Sequence, residues 1–542
     1  MCVSFGTPAW SSILSFIASI GGYAAFWTLV IDLKSKSRKF WLGCLWYTLV
    51  QLIQLSWLDS HPYLYIYFVH FSLSFFMGAQ FGVICMFIDR SILKSWISLA
   101  ALGGMWVILE WSRLFILSGL SLNPSGMALA GNRYGLQLAA LIGVYGMSFY
   151  VLFTNLLVLR AWYLRGIGSL IPAFCLAVFP AIFGMAHYHG HAISRSSDKT
   201  PPAKVLLVQT NFPAEEVLKF TSMQEMVVYV QKEWQHILSL VKPFLGSPLD
   251  CIVLPEAAVP FPAFYPIFKN GIVNASFETL IGEASISHLP PLKPHLAMRV
   301  SLNEGDVTMV NHAFWTQALA NCFNAPVIIG MEDVDHIGDE EKFTLSAFIF
   351  YPFSDVVQRY DKRVLLPMAE YIPSEICRKI AKKYGVCGSF TCGTEAKIFH
   401  PNNIPSGVCI CYEETFGNLM RENRQKGAEM LINITSDVWY PHSMLPYQHF
   451  EHARLRTVEM GIPLIRACNT GVTGAIDALG DTVSVLRNEQ GDVEDIASAL
   501  YVEVPRYHYR TLYSLAGDMP VLLFSFVCVG LESFLRMRKN RS

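Results

Sequence analysis

The chain has 542 residues, of which 53% are hydrophobic and only 15% charged. Its mean hydropathy of +0.36 excludes an ordinary water-soluble protein of that length and puts a membrane class first. The formal net charge of −1 comes without any face-sized block of Lys and Arg, so nucleic acid is excluded as the expected partner. The 13 cysteines are scattered and have no zinc-type spacing, so neither a metal site nor a dense disulfide framework is expected. A bridge among Cys377, Cys387 and Cys392 stays open beside free thiols.

Crossing a bilayer as a helix takes about 20 apolar residues. Such runs lie near 11–31, 40–57, 63–88, 96–118, 135–159 and 167–187, with a seventh at 518–535. The expected organisation is a helical membrane domain over 1–190 with about six helices, a globular domain over 200–510, and a C-terminal transmembrane helix with a basic tail. The loops alternate in charge: KSKSRK (34–39), DRSILK (89–94), the turn flanked by Arg160 and Arg165, and the tail RMRKNR (536–541) are basic, whereas LDSHP (58–62) is not. The positive-inside rule makes the basic loops cytoplasmic and puts the globular domain outside, in the periplasm if the cell is Gram-negative. Counting back leaves the N-terminus on the outer face with only Met1 to Pro8 before the first run, so either that helix inserts this way or a further one precedes it. Glu110 and Arg113 stand three apart within an apolar run, where an internal ion pair that orients helices is the expectation.

From residue 204 the pattern changes to short apolar runs alternating with amphipathic stretches. KVLLVQTN (204–211), CIVLPE (251–256), APVIIGME (325–332), LSAFIFYP (345–352), VCICYE (408–413), EMLINITSD (429–437) and the run from Pro463 read as strands, and 222–242 reads as a helix. This is a layered α/β domain. The stretch 269–312 carries little period and several Pro and Gly, which predicts a long, mobile surface insertion. Three strand ends carry reactive groups: Glu256 after IVLP, Lys362 in RYDKRVLLP, and Cys411 after VCI. A carboxylate, an ammonium and a thiol can form a covalent acyl-transfer site. Each has a plainer alternative: Glu256 as a helix cap, Lys362 as a solvated charge, Cys411 as a small buried hydrophobe. In a strand, Cys409 and Cys411 share one face; Cys409 lies within the apolar run and reads as core, Cys411 stands at the turn.

The set LPEAAVP (254–260), YDKRVLLPMAEYIP (360–373), CYEETFG (411–417), ITSDVWY (434–440) and NTGVTGAID (469–477) resembles the nitrilase, or carbon-nitrogen hydrolase, superfamily. Joined to an N-terminal multi-helix block and one C-terminal helix, it is similar to the apolipoprotein N-acyltransferase family, also in EWSRLFILSG (110–119), GVYGMSF (143–149), the stretch 446–471 and TLYSLAGDMP (511–520). The resemblance implies an αββα sandwich with a Glu256, Lys362, Cys411 triad, supported by Glu370 and with Tyr412, Glu413 and Trp439 shaping the site or its lid. It implies acyl transfer from a phospholipid to the α-amino group of a diacylated apolipoprotein through a thioester, at a bacterial inner membrane, with no cofactor or metal. A monomer is expected. Phe220 aligns with a substrate-contacting tryptophan of the family, and Phe261 and Phe264 in PFPAFYPIF (260–268) are read as a lid dipping into the membrane interface or as an ordinary packed loop.

The chain departs from the family pattern at Met368 and Ala369, where Phe-Gly is usual, so strain is expected at Ala369, and at Ser436 and Asp437. FGTP (5–8) aligns near the start of the family's second of eight helices, which agrees with a further helix preceding this sequence. An amidase passing the acyl group to water and a non-catalytic lipoprotein-binding protein are the alternative functions.

Overall fold

The computed structural model describes residues 1–214, 218–302, 305–337, 340–383 and 389–539. The N-terminal block is built of α1 (Ser12–Val30), α2 (Lys36–Gln54), α3 (Tyr65–Cys85), α4 (Trp96–Ser112), α5 (Ala139–Leu164) and α6 (Ile167–Ser197). The C-terminal helix Met519–Lys539 packs on α4. Among the described residues, six helices are long and apolar enough to cross a membrane; α2 is a helix too, but Lys36, Arg38 and Lys39 open it.

Backbone groups freed inside such helices need partners from the protein itself. A π-turn over Ala18–Gly22 interrupts α1. Asn155 of α5 closes it, accepting from Tyr23 N and Ala24 N at 3.0 Å each and donating to Ala18 O (3.1 Å) and Ser19 O (3.0 Å). A kink at Gly143 (φ 62°, ψ 179°) bends α5. Glu459 takes the freed Val144 N–H at 2.8 Å, and a Cβ at Gly143 would meet the Tyr513 ring at 2.2 Å, so only glycine fits there.

The basic ends gather at one end of the bundle. Arg90 pairs with Asp32 at 2.6 Å, Lys39 donates to Ile88 O, Arg160 to Leu93 O, and Arg536 lies over the Phe87 ring. Glu110 and Arg113 are both buried but do not pair. Glu110 accepts from Ser125 N (2.8 Å) and Ser125 Oγ (2.9 Å), while Arg113 Nε donates to Gln80 Oε1 at 2.7 Å. The ion pair expected from their spacing is corrected: the loop after α4 folds back and α3 lies alongside, and they supply neutral partners first.

The following domain contains β1 (Ala203–Gln209), β2 (Cys251–Val253), β3 (Phe268–Lys269), β4 (Ala297–Leu302), β5 (Gly305–Val310), β6 (Val327–Ile337), β7 (Glu340–Phe350), β8 (Val357–Asp361), β9 (Ile398–Phe399), β10 (Ser406–Ile410), β11 (Met430–Thr435), β12 (Leu464–Cys468), β13 (Gly474–Ile476), β14 (Thr482–Val485) and β15 (Ser498–Val504). Two six-stranded sheets, ordered β15-β1-β2-β6-β7-β8 and β14-β13-β12-β11-β10-β9, face each other. Alternation along the strands decides the layers. Val205 and Leu207 join Val408, Ile410, Ile432 and Ile434 between the sheets. Leu206 and Val208 point outward to Trp234, Ile237 and Trp315, on α7 (Met223–Val241) and, beyond α8 (Asn270–Leu280), on α9 (His312–Phe323). The second sheet is covered by α10 (Gly417–Gln425) and α11 (Leu445–Met460). This is the expected αββα sandwich. Helix α11 is apolar on two sides: Ala453 and Met460 meet the sheet, Leu455 and Val458 the membrane helices, which makes it the shared wall of the two parts.

The stretch 269–312 is not the unstructured insertion its sequence suggests. It holds α8 and a three-stranded sheet ordered β3-β5-β4, with Val273, Phe277, Ile281, Leu296 and Val310 buried in the core of the first sheet. Its apolar residues are too widely spaced to display a period, yet these five suffice to dock it.

Candidate active site

Three chain segments deliver the site. After β2 the chain stays against β6: Leu254 N donates to Ile328 O at 2.8 Å, Gly330 N to Pro255 O at 3.0 Å and Ala258 N to Gly330 O at 2.9 Å. A Cβ at Gly330 would lie 2.6 Å from Glu256 Cα, so that glycine lets the backbone of Glu256 approach. Lys362 follows β8 directly, fixed by its N–H to Leu345 O at 2.8 Å. Its side chain is fully buried, and Nζ donates to Glu256 Oε1 at 2.8 Å and to Glu370 Oε1 at 2.6 Å. Glu370 in turn accepts from Leu366 N at 2.9 Å. Burial disfavours the ammonium of Lys362, but the Glu256 and Glu370 carboxylates outweigh it and hold its pKa well above the usual value. Burial also pushes the Glu370 carboxyl up, against the pull of Lys362. The strain expected at Ala369 is corrected: the left-handed residue is Met368 (φ 69°), whose N–H closes the turn on Tyr371 O at 2.8 Å.

Cys411 sits where β10 stops. It has φ 53°, a conformation costing a non-glycine residue about 1–2 kcal/mol, and it opens a 3₁₀ turn through Thr415. The elbow overturns the shared face expected for the two cysteines. Cys409 points outward into the helix layer with Met420 and Ala453, whereas Cys411 turns into the space between the sheets. Burial first, then the nearby Glu256 carboxylate, raise the Cys411 thiol, while Lys362 pulls it down. The net rise leaves a protonated resting thiol, which needs a base to act.

Glu413 fastens this turn. One carboxylate oxygen accepts from Ile410 N (2.8 Å) and Tyr360 OH (2.7 Å), the other from Arg363 N and Val364 N (3.1 Å), tying the nucleophile's turn to the segment that carries Lys362. Behind it lies a buried cluster that the sequence reading missed. Arg466 on β12 donates to Glu414 and to Asn433 Oδ1 (3.1 Å) and lies 3.4 Å from Asp437 Oδ2. His449 stands 3.1 Å from both Glu414 and Asp437. Asn433 Nδ2 completes the set by donating to Cys411 O at 3.2 Å. Burial opposes the Asp437 charge, yet His449 and Arg466 hold its carboxyl below the usual range. An arginine inside the apolar run PLIRAC was the available signal, since a buried guanidinium demands carboxylate partners.

The aromatic candidates fall in four places. Trp439 stacks on His61 of the α2–α3 loop at 5.5 Å between ring centroids, and Tyr440 meets Trp57 at 4.7 Å. Tyr412 accepts from Ser121 N at 3.0 Å and donates to Gly119 O at 3.2 Å. Phe261 and Phe264 pack against the core of the first sheet, Phe264 edge-on to Phe348 at 5.9 Å. Phe220 packs on Tyr229 of α7 at 5.4 Å. Cys377 and Cys392 are free thiols; Cys387 lies outside the described residues. No group of three or more His, Cys, Asp or Glu among the described residues could hold a metal ion.

A buried carboxylate–ammonium pair beside an elbow cysteine, in an αββα sandwich docked on membrane helices, defines a membrane-anchored protein of the carbon-nitrogen hydrolase class. The model of that family, described as "Carbon-nitrogen hydrolase", matches residues 223–494, and "Apolipoprotein N-acyltransferase N-terminal domain" matches 3–157. The chain is 31% identical to the apolipoprotein N-acyltransferase of Chlamydia pneumoniae, with 97% of this chain and 94% of that one covered. The Chlamydia muridarum protein of the same name is 30% identical, with 100% and 96% covered. The chain belongs to the apolipoprotein N-acyltransferase family. Among solved structures, Nit3 of Saccharomyces cerevisiae, a nitrilase-superfamily protein, aligns at 16% identity and a TM-score of 0.33 over 59% of this chain and 95% of its own.

Proposed function

We propose that the protein moves an acyl chain from a phospholipid to the α-amino group of the diacylglyceryl cysteine that begins a lipoprotein, through a thioester on Cys411. Glu256 takes the proton of the Cys411 thiol, and the thiolate attacks the ester carbonyl carbon. The oxyanion is met by the Lys362 ammonium and by backbone N–H groups at the start of the Cys411 turn, which a helical turn leaves unpaired. As the ester C–O bond breaks, the leaving oxygen recovers the proton from Glu256 and a lysophospholipid departs. The lipoprotein amine then attacks the thioester, gives its proton to Glu256, and the C–S bond breaks to return the thiol. This is a ping-pong sequence. Glu370 holds Lys362 together with Glu256, and Trp439, Phe220, Phe261 and Phe264 border the path of the acyl chains.

The observation that carries the reading is Lys362, fully buried and bonded to two carboxylates, beside a protonated elbow cysteine. The membrane setting follows from the helices, and the gathering of Arg90, Lys39, Arg160 and Arg536 at the end away from the catalytic domain supports a cytoplasmic C-terminus and a periplasmic site. Purified protein given a labelled phospholipid and a diacylated lipopeptide tests the proposal. N-acylated lipopeptide from the wild type and none from Cys411→Ala supports it; release of free fatty acid alone would make the protein an amidase-like hydrolase instead.

A further inference from the structure

Each of the four residues after Cys411 is tied down by its side chain. Glu413 reaches the Lys362 segment and Glu414 reaches Arg466, both inside the catalytic domain. Tyr412 and Thr415 reach outward. The Tyr412 hydroxyl bonds Gly119 O and Ser121 N in the loop after α4. The Thr415 hydroxyl donates to Tyr412 O at 2.7 Å and accepts from Ser121 Oγ. The carbonyl of Thr415 accepts from Arg456 Nη2 at 3.0 Å; Arg456 is ion-paired to Glu459, whose second oxygen holds Val144 N at the kink of α5. A Cβ at Gly119 (φ 104°) would strike the Phe416 ring at 2.7 Å, so the loop and the turn are in van der Waals contact as well. Thr415, Arg456 and Glu459 are all buried.

A nucleophile held at φ 53° relaxes toward extended backbone unless its surroundings over-determine it. We infer that the membrane block sets the pose of the nucleophile: Ser121, Thr415 and Arg456 are positioning residues that hold the Cys411 turn, and the catalytic domain is competent only while docked on its own helices. None of the three touches the reacting atoms. Their effect is on the geometry from which the thiolate attacks, where a displacement of about 1 Å costs on the order of a hundredfold in rate. The inference rests on Cys411 being the acyl-accepting thiol.

The test uses the full-length protein in detergent or vesicles. Single-turnover thioester formation from a labelled phospholipid, the apparent KM for that phospholipid and the melting temperature are measured for the wild type, Thr415→Val, Thr415→Ser and Ser121→Ala. Thr415→Val fills the same space without the hydroxyl, and Thr415→Ser keeps it. The expected result is thioester formation slowed about tenfold or more in Thr415→Val and Ser121→Ala, with KM within about twofold, the melting temperature little changed, and the rate restored in Thr415→Ser. Iodoacetamide alkylation of Cys411, read by peptide mass, should change in rate with the same ranking and does not depend on the acyl-transfer reading. A wild type that forms no thioester sinks that reading but leaves the alkylation ranking to decide this one. Wild-type rates in both variants, failure of serine to restore, or a loss that matches the unfolded fraction in both variants overturns the inference.

Discussion

Replacing Glu413 with glutamine tests how the nucleophile is held. The native carboxylate serves four donors, two on each oxygen: Ile410 N and Tyr360 OH, and Arg363 N and Val364 N. Glutamine keeps one acceptor oxygen. With that oxygen toward Arg363 and Val364, the amide NH₂ faces Ile410 N–H and Tyr360; the hydroxyl can rotate to accept, but the Ile410 N–H cannot. The opposite flip sets the NH₂ against two backbone N–H groups and is worse. The better arrangement leaves one unpaired donor in a fully buried place, worth about 1–3 kcal/mol. Ile410 immediately precedes Cys411, so the turn relieves the conflict by moving the nucleophile. A shift of about 1 Å lowers the rate on the order of a hundredfold, close to 2.7 kcal/mol of barrier. Single-turnover thioester formation in Glu413→Gln, set beside thermal unfolding in detergent, measures both effects. A glutamine variant with wild-type stability and rate would refute the role of Glu413 as the fastener of the elbow.

Lys362→Met removes the cation bonded to both Glu256 and Glu370, leaving two neighbouring carboxylates that cannot both stay ionised; acyl transfer should fall at least about a thousandfold, and activity within tenfold of wild type would argue against the oxyanion role. Cys411→Ala abolishes thioester and transfer together, whereas Cys409→Ala, whose thiol lies in the outer helix layer, keeps most of the activity; the reverse ranking in the same transfer assay would reassign the nucleophile. Burial holds the Glu459 carboxyl at about 7, against a usual value of 4.5. Because the folded value is the higher one, this group stabilises the fold most below about 4.5 and loses that contribution as pH rises through 7, by about 3 kcal/mol. Melting temperatures between pH 5 and 8 should fall more steeply with pH in the wild type than in Glu459→Gln, and parallel slopes would contradict the assignment.

Much of the sandwich is legible in the sequence because its strands carry the physics on their faces. KVLLVQ and the run VCI at 408–410 alternate between the inter-sheet core and the helix layers, and an apolar run that stops at a glutamate or a cysteine marks a strand end with a reactive group. What stays hidden depends on contacts across the chain. The elbow at Cys411 exists because Glu413 reaches back to Ile410 N, which strand periodicity cannot foresee, and so the two cysteines part company. Arg466 reads as an oddity until Glu414, Asp437 and His449 are brought around it from three other segments. The stretch 269–312 docks through five scattered apolar side chains. Glu110 and Arg113 have helical spacing but find Ser125 and Gln80, because a loop return and a neighbouring helix compete with the local pair.

The most direct measurement is the mass of the Cys411 peptide after incubation with a phospholipid of known acyl chains. The account requires a mass increase equal to one fatty acid less a water, located on Cys411, sensitive to hydroxylamine and discharged when a diacylated lipopeptide is added, with the acyl group recovered on the lipopeptide amine. Acyl transfer to the lipopeptide at the wild-type rate in Cys411→Ala, without any acylated enzyme, would contradict it.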